Sequence, residues 1–71
     1  RWPAAKKYVE FMGGRDAVLD KARRSFESGE YRWTATVLDH LVFAHPDDEA
    51  ARELLARTLS LYTLTLPTNR E

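Results

Sequence analysis

Apolar residues recur along this chain at intervals of three and four, in four blocks punctuated by glycine or proline. The first block predicts a helix from Ala4 to Met12. Ala4, Tyr8 and Phe11 or Met12 share one face, and Val9 widens it. Arg1-Trp2-Pro3 reads as its entry, since proline is tolerated in a helix's first turn. Gly13 and Gly14 end it. The second block places Val18, Leu19, Ala22 and Phe26 on one stripe, with Asp16 expected as N-cap. Asp20 with Arg24 and Arg23 with Glu27 form i,i+4 pairs on the outer face. Gly29 then supplies the left-handed residue that closes a helix at little steric cost.

A third helix opens at Glu30 or Tyr31 and carries Thr34, Val37, Leu38, Leu41 and Val42 at helical spacing. Ala35 offers a small surface for close approach. The run Leu41-Val42-Phe43-Ala44 is wider than one stripe, so this helix is expected to be covered on more than one side. His45-Pro46 stops it, because the residue before proline is pushed out of the helical region. Asp47-Asp48-Glu49 then complements the positive end of a fourth helix, with Asp47 expected as the cap. Ala50 or Ala51, Leu54, Leu55, Thr58, Leu59 and Tyr62 form its inner face. From Tyr62 to Leu66 the pattern alternates like a strand, and Pro67 to Glu71 is polar. Residues 1–63 are therefore read as one domain and residues 64–71 as an extended or disordered tail.

The pattern thus predicts an all-α fold of about four short helices in antiparallel hairpins. Its hinge is Phe26 to Trp33, where Phe26, Tyr31 and Trp33 lie close enough to pack across the turn. Gly13, Gly14, Gly29 and Pro46 set the turns. The order Ala22, Gly29, Tyr31, Ala35, Pro46 resembles the general plan of a tetratricopeptide unit, although the Trp and Leu-Gly of that motif are missing and no second copy follows.

Size adds a constraint. A chain of 71 residues buries only about 60% of its unfolded surface, so a solitary core is marginal. With no cysteine there is no disulfide to staple it, and no Cys/His cluster has zinc-site spacing. Association with a second copy or with a larger body is the expectation. Net charge is zero but unevenly spread: residues 1–29 carry seven Lys/Arg against four Asp/Glu, and residues 30–71 the reverse, four against seven. That asymmetry suits antiparallel docking of two copies, although ordinary solvated helix faces account for it as well. No basic patch with interleaved aromatics points to nucleic acid. No apolar run approaches the roughly 20 residues of a membrane span.

Candidate chemistry is sparse. His40 and His45 lie five apart, about 140° around a helix, which does not chelate one metal. They read as a polar surface residue and a helix-end residue. Helix capping accounts for Asp47, Asp48 and Glu49 more simply than a cation site does. Ser25, Ser28 and Ser60 lack a nucleophile's context. Gly13-Gly14 is no phosphate loop. No catalytic or metal residue is assigned, and no cofactor is expected in this chain. Trp2, Tyr31, Trp33 and Phe43, with Arg32 among them, are the signal that remains. Filling the local core and anchoring a protein interface are both open to them.

The segment Lys7-Tyr8-Val9-Glu10-Phe11-Met12-Gly13-Gly14-Arg15-Asp16-Ala17-Val18-Leu19 closely resembles the opening of the dimerisation domain of bacterial alkyl sulfatases. Gly29-Glu30-Tyr31-Arg32-Trp33 is similar to that family's central turn, and Asp39 through Ala56 to its following helix pair. The likeness covers residues 3–59. From Arg57 onward the chain departs from the family's pattern.

The resemblance implies a role in a larger enzyme. Members carry a metallo-β-lactamase-type catalytic domain with two zinc ions, then an all-α dimerisation domain, then a sterol-carrier-like domain. They hydrolyse alkyl sulfate esters to an alcohol and sulfate. Their metal ligands lie in a His-x-His-x-Asp-His motif that does not occur here, so this chain by itself is expected to hydrolyse nothing. The implied partners are a second copy and the other domains of a parent enzyme. The parent's compartment, periplasmic or secreted, stays open. Two rival readings remain: a stand-alone tetratricopeptide-like module that binds a foreign peptide, and a segment whose Arg32 or Tyr31 reaches substrate in the intact enzyme.

Overall fold

The computed structural model describes residues 2–66, apart from the side chains of Trp2 and Pro3. Four helices follow one another: α1 (Trp2–Phe11), α2 (Arg15–Glu27), α3 (Tyr31–Ala44) and α4 (Glu49–Thr65). The fold is all-α, and no strand occurs among the described residues.

The first two turns share one construction. At the end of α1, the Gly13 amide donates to the Glu10 carbonyl at 3.1 Å and the Gly14 amide to that of Val9 at 2.9 Å. At the end of α2, the Gly29 amide donates to the Phe26 carbonyl at 3.0 Å and the Glu30 amide to that of Ser25 at 2.9 Å. Both are Schellman closures, which need a left-handed residue at the position Gly13 and Gly29 occupy. Their φ angles are +107° and +83°. The third turn holds Pro46 and is closed by the Asp48 amide on the His45 carbonyl at 3.0 Å. His45 stands at φ −134°, ψ 78°, off the helical region as a residue before proline must be.

α3 is the central helix. α2 and α4 pack along it, and α1 passes over its chain neighbour α2 to lie on α3 as well. The width of the apolar run in α3 follows from this: it is covered by three elements. Leu38, Leu41, Val37 and Val18 are fully buried, each worth about 1.5–3 kcal/mol of apolar transfer. Ala22, Ala35, Ala44 and Ala51 are buried too, and their small side chains let the backbones approach.

The hairpin between α2 and α3 also has a polar tie. The hydroxyls of Ser25 and Thr34, both buried, lie 2.6 Å apart. Ser25 Oγ is 3.1 Å from the Ala22 carbonyl and Thr34 Oγ1 is 2.8 Å from that of Glu30. Two hydroxyl protons cannot serve three contacts. The tie therefore runs as a relay, ending on one carbonyl or the other.

Several boundaries differ from the sequence expectation. Asp16 is not the cap of α2. Gly14 occupies that position with φ +99° and no side-chain cap, and Asp16 instead pairs with Arg15 at 2.8 Å on the surface. Asp47 is not the cap of α4. Asp48 is, its side chain accepting from the Ala51 amide at 3.2 Å, because the proline turn takes up Asp47. The inner face of α1 is Ala5, Tyr8, Val9 and Met12. Ala4 is exposed and Phe11 is 87% exposed. Two stripes one residue apart both satisfy helical spacing, and the position of α3 chooses between them. Residues 64 and 65, expected in an extended tail, continue α4. The Thr63 and Thr65 hydroxyls bond back to the Leu59 and Tyr62 carbonyls at 2.8 Å each, which suits threonine in a helix despite its strand preference. The rest of the expected tail, residues 67–71, lies outside the described residues.

Candidate functional site

Of the aromatic residues singled out by the sequence, Phe26, Tyr31 and Trp33 lie at the α2–α3 end of the bundle, but they divide. Phe26, in the last turn of α2, and Tyr31, at the start of α3, face each other across the Gly29 turn with ring centroids 5.5 Å apart. Two residues apart on one helix, Tyr31 and Trp33 cannot both face Phe26. Trp33 is left 44% exposed. α4 runs back along α3 and brings Tyr62 and Thr65 beside the start of that helix. Between them lies a groove of about 540 Å³, walled by Tyr31, Trp33, Thr36, Tyr62 and Thr65, with Glu30 and Arg32 on it as the charged groups. Trp33 also borders a second cleft of about 290 Å³, which Lys21, Arg24, Ser28 and Glu30 share. The indole is thus a ridge between two depressions.

Phe43 is 50% exposed near the end of α3, and it lines neither cleft. Trp2 begins α1, and its side chain lies outside the described residues. Tyr62, Thr36 and Thr65 complete the groove and were not singled out for it. The helical repeat placed Tyr62 on the inner face of α4, but only the antiparallel return of α4 brings it to Tyr31.

The opposite end of the bundle is held by charge. Arg15 Nε and Nη2 donate to the two carboxylate oxygens of Asp48 at 2.6 and 2.9 Å. The same carboxylate caps α4, and its side chain is 9% exposed. The Arg15 hydrogen bonds, with the Ala51 amide adding to them, outweigh the cost of desolvation and hold the Asp48 carboxyl down at about 2. The same partner raises the Arg15 guanidinium further above its ordinary value. This pair joins the starts of α2 and α4. Neither residue had been paired with the other, because nothing local links positions 33 apart.

His40 is not simply a polar surface residue. Its ring stacks on Tyr8 at 4.0 Å between centroids, fastening α1 to α3. Its Nδ1 lies 2.8 Å from the Thr36 carbonyl. A carbonyl only accepts, so Nδ1 carries the proton. His45 caps the end of α3 through its backbone amide, which donates to the Leu41 carbonyl at 2.8 Å. Among the described residues no group of three or more His, Asp or Glu side chains is placed to hold a metal. No helix among the described residues is long and apolar enough to cross a membrane. What this chain offers chemically is a surface.

The family model described as "Alkyl sulfatase dimerisation" matches residues 2–65, reaching past Leu59, the last residue of the sequence resemblance. A linear primary-alkylsulfatase from Pseudomonas sp is 51% identical over 55 residues, 78% of this chain and 8% of that protein. The alkyl/aryl-sulfatase BDS1 of Saccharomyces cerevisiae is 56% identical over 55 residues, with the same coverage. The yeast relative shows that the likeness is not confined to bacteria. The solved structure of the stereoselective inverting sec-alkylsulfatase Pisa1 from Pseudomonas sp. superposes with a TM-score of 0.88 at 42% identity, over 90% of this chain and 10% of that one. The chain therefore spans about a tenth or less of the length of the proteins it matches. The alternative of a stand-alone tetratricopeptide-like module finds no support among these matches.

Proposed function

The chain belongs to the alkyl sulfatase dimerisation family, and from that premise we propose that it serves as the self-association segment of a longer alkylsulfatase-type hydrolase. The single observation that carries the reading is the family match along all four helices, residues 2–65. The bundle's own make-up is consistent with the role. Its described residues hold no cluster of metal-ligating groups, and its exposed aromatic surface suits a protein partner. Burial of that surface would drive association at about 25 cal/mol per Å² before the costs of bringing two bodies together.

The parent's chemistry is part of this proposal. It is hydrolysis of an alkyl sulfate ester in a separate catalytic domain, with zinc held there by residues outside this chain. Trp2, Tyr31, Trp33 and Phe43 are proposed as core or interface anchors. The remaining domains of the parent are the other proposed partners, with no nucleic acid and no membrane span proposed for this segment.

The test is the solution mass of the 71-residue chain by sedimentation equilibrium across a range of concentration. A reversible rise from one to two copies is expected. A folded monomer at every concentration would overturn the reading for this segment.

A further inference from the structure

We infer that the Trp33 ridge and the groove beside it are the centre of a two-fold contact with a second copy of this chain, closed by reciprocal Glu30–Arg32 pairs. The inference rests on the self-association reading above and adds where the two copies meet.

A two-fold interface brings one patch against itself, so residue i of one copy meets residue j of the other, and j meets i. Such a patch must be complementary to its own image, and a ridge with a groove beside it meets that condition and fixes the register of the two copies as well. Trp33 is that ridge, and the groove walled by Tyr31, Thr36 and Tyr62 adjoins it. A rotation that seats one indole in the partner's groove seats the other indole equally. Phe11 and Phe43 are as exposed or more so, yet neither borders this groove.

Charge selects the same patch. Glu30 and Arg32 both border the groove. Neither meets an opposite charge within the chain among the described residues: the ion pairs there are Arg15 with Asp16 and Asp48, and Arg24 with Asp20. Among the described residues the Glu30 carboxylate accepts from the Ser28 hydroxyl, at 3.2 Å. One anion and one cation on the rim of a self-facing groove meet their opposites in the partner, twice over. Aromatic and arginine residues are also the types that anchor protein interfaces.

The experiment compares the dimer dissociation constants of the unaltered chain, Glu30→Arg, Arg32→Glu and the double exchange, by sedimentation equilibrium. Circular dichroism checks that each remains helical, as expected for exposed positions. Each single reversal places like charges together twice and should weaken the dimer about tenfold or more. The double exchange restores opposite charges and should return the constant to near its original value. Singles that leave the dimer unchanged, or a double no tighter than either single, place the interface elsewhere while self-association stands. An unaltered chain that stays monomeric overturns both.

Discussion

Arg15 and Asp48 grip each other through two hydrogen bonds across 33 positions of chain, and one carboxylate thereby serves two helices. Asp48→Ala removes the cap and strands the guanidinium. Loss of a cap of this kind costs about 0.5–2 kcal/mol. Asp48→Asn keeps a cap acceptor and loses only the charge, so it should fall between Ala and the unaltered chain in thermal denaturation. If Asn is as damaging as Ala, the ion pair rather than the cap holds this end.

The same carboxylate sets a pH dependence. Its folded value of about 2 lies below its ordinary 3.8. The unfolded chain therefore binds more protons between those values, and the contribution is complete above the unfolded value and lost as pH falls through the folded one. Urea midpoints for the unaltered chain and for Asp48→Asn should run parallel above about pH 5, in line with linkage. They should converge between pH 4 and 2. Because other carboxylates titrate there too, the difference between the two curves is the readout. A constant difference across that range would contradict the assignment.

The two Schellman glycines should not be equal. A Cβ at Gly29 meets no atom within 4 Å, so Gly29→Ala carries only the left-handed backbone penalty, about 1 kcal/mol. A Cβ at Gly13 would come within 3.0 Å of the Ala17 Cβ in addition. Gly13→Ala should lower the melting temperature more than Gly29→Ala. The reverse order would mean that the α1–α2 turn relaxes freely.

Ser25→Ala and Thr34→Val each break the relay between α2 and α3, yet the remaining hydroxyl keeps its own carbonyl partner. Each should cost about 1 kcal/mol. The double variant should cost less than the sum, because the shared bond is lost only once. Strict additivity in denaturant titrations would show that the two hydroxyls act independently.

Much of this fold is written locally. Gly13 and Gly29 end helices because closing a helix needs a left-handed residue, and Pro46 ends α3 through its effect on His45; such effects span four or five residues. The Asp20–Arg24 pair appeared as spaced, at 2.7 Å. The stripes of α2 and α3 were legible because both helices have a crowded side and a charged one. In α1, Tyr8, Val9 and Met12 face inward as read, whereas Ala5 takes the place given to Ala4 and Phe11 turns out, since Ala4 and Ala5 are equally apolar and Phe11 and Met12 both large. The groove was half legible. Tyr31 and Trp33 were visible as an aromatic surplus, but their partners Tyr62 and Thr65 sit about thirty residues on, in a stretch whose alternation imitates a strand.

The sequence alone determined the number of helices, where the first three stop, and the family resemblance, because capping, proline sterics and 3.6-residue periodicity act between near neighbours. Only the tertiary structure decided that α1 lies on α3 rather than on α2, that the capping Asp48 is gripped by Arg15, and that Trp33 stands outside the core between two clefts. Each of those outcomes depends on a partner far along the chain: α3 for the face of α1, Arg15 for Asp48, and the returning end of α4 for the groove beside Trp33. Spacing along a sequence specifies which side of a helix a residue occupies, but not what will be packed against that side.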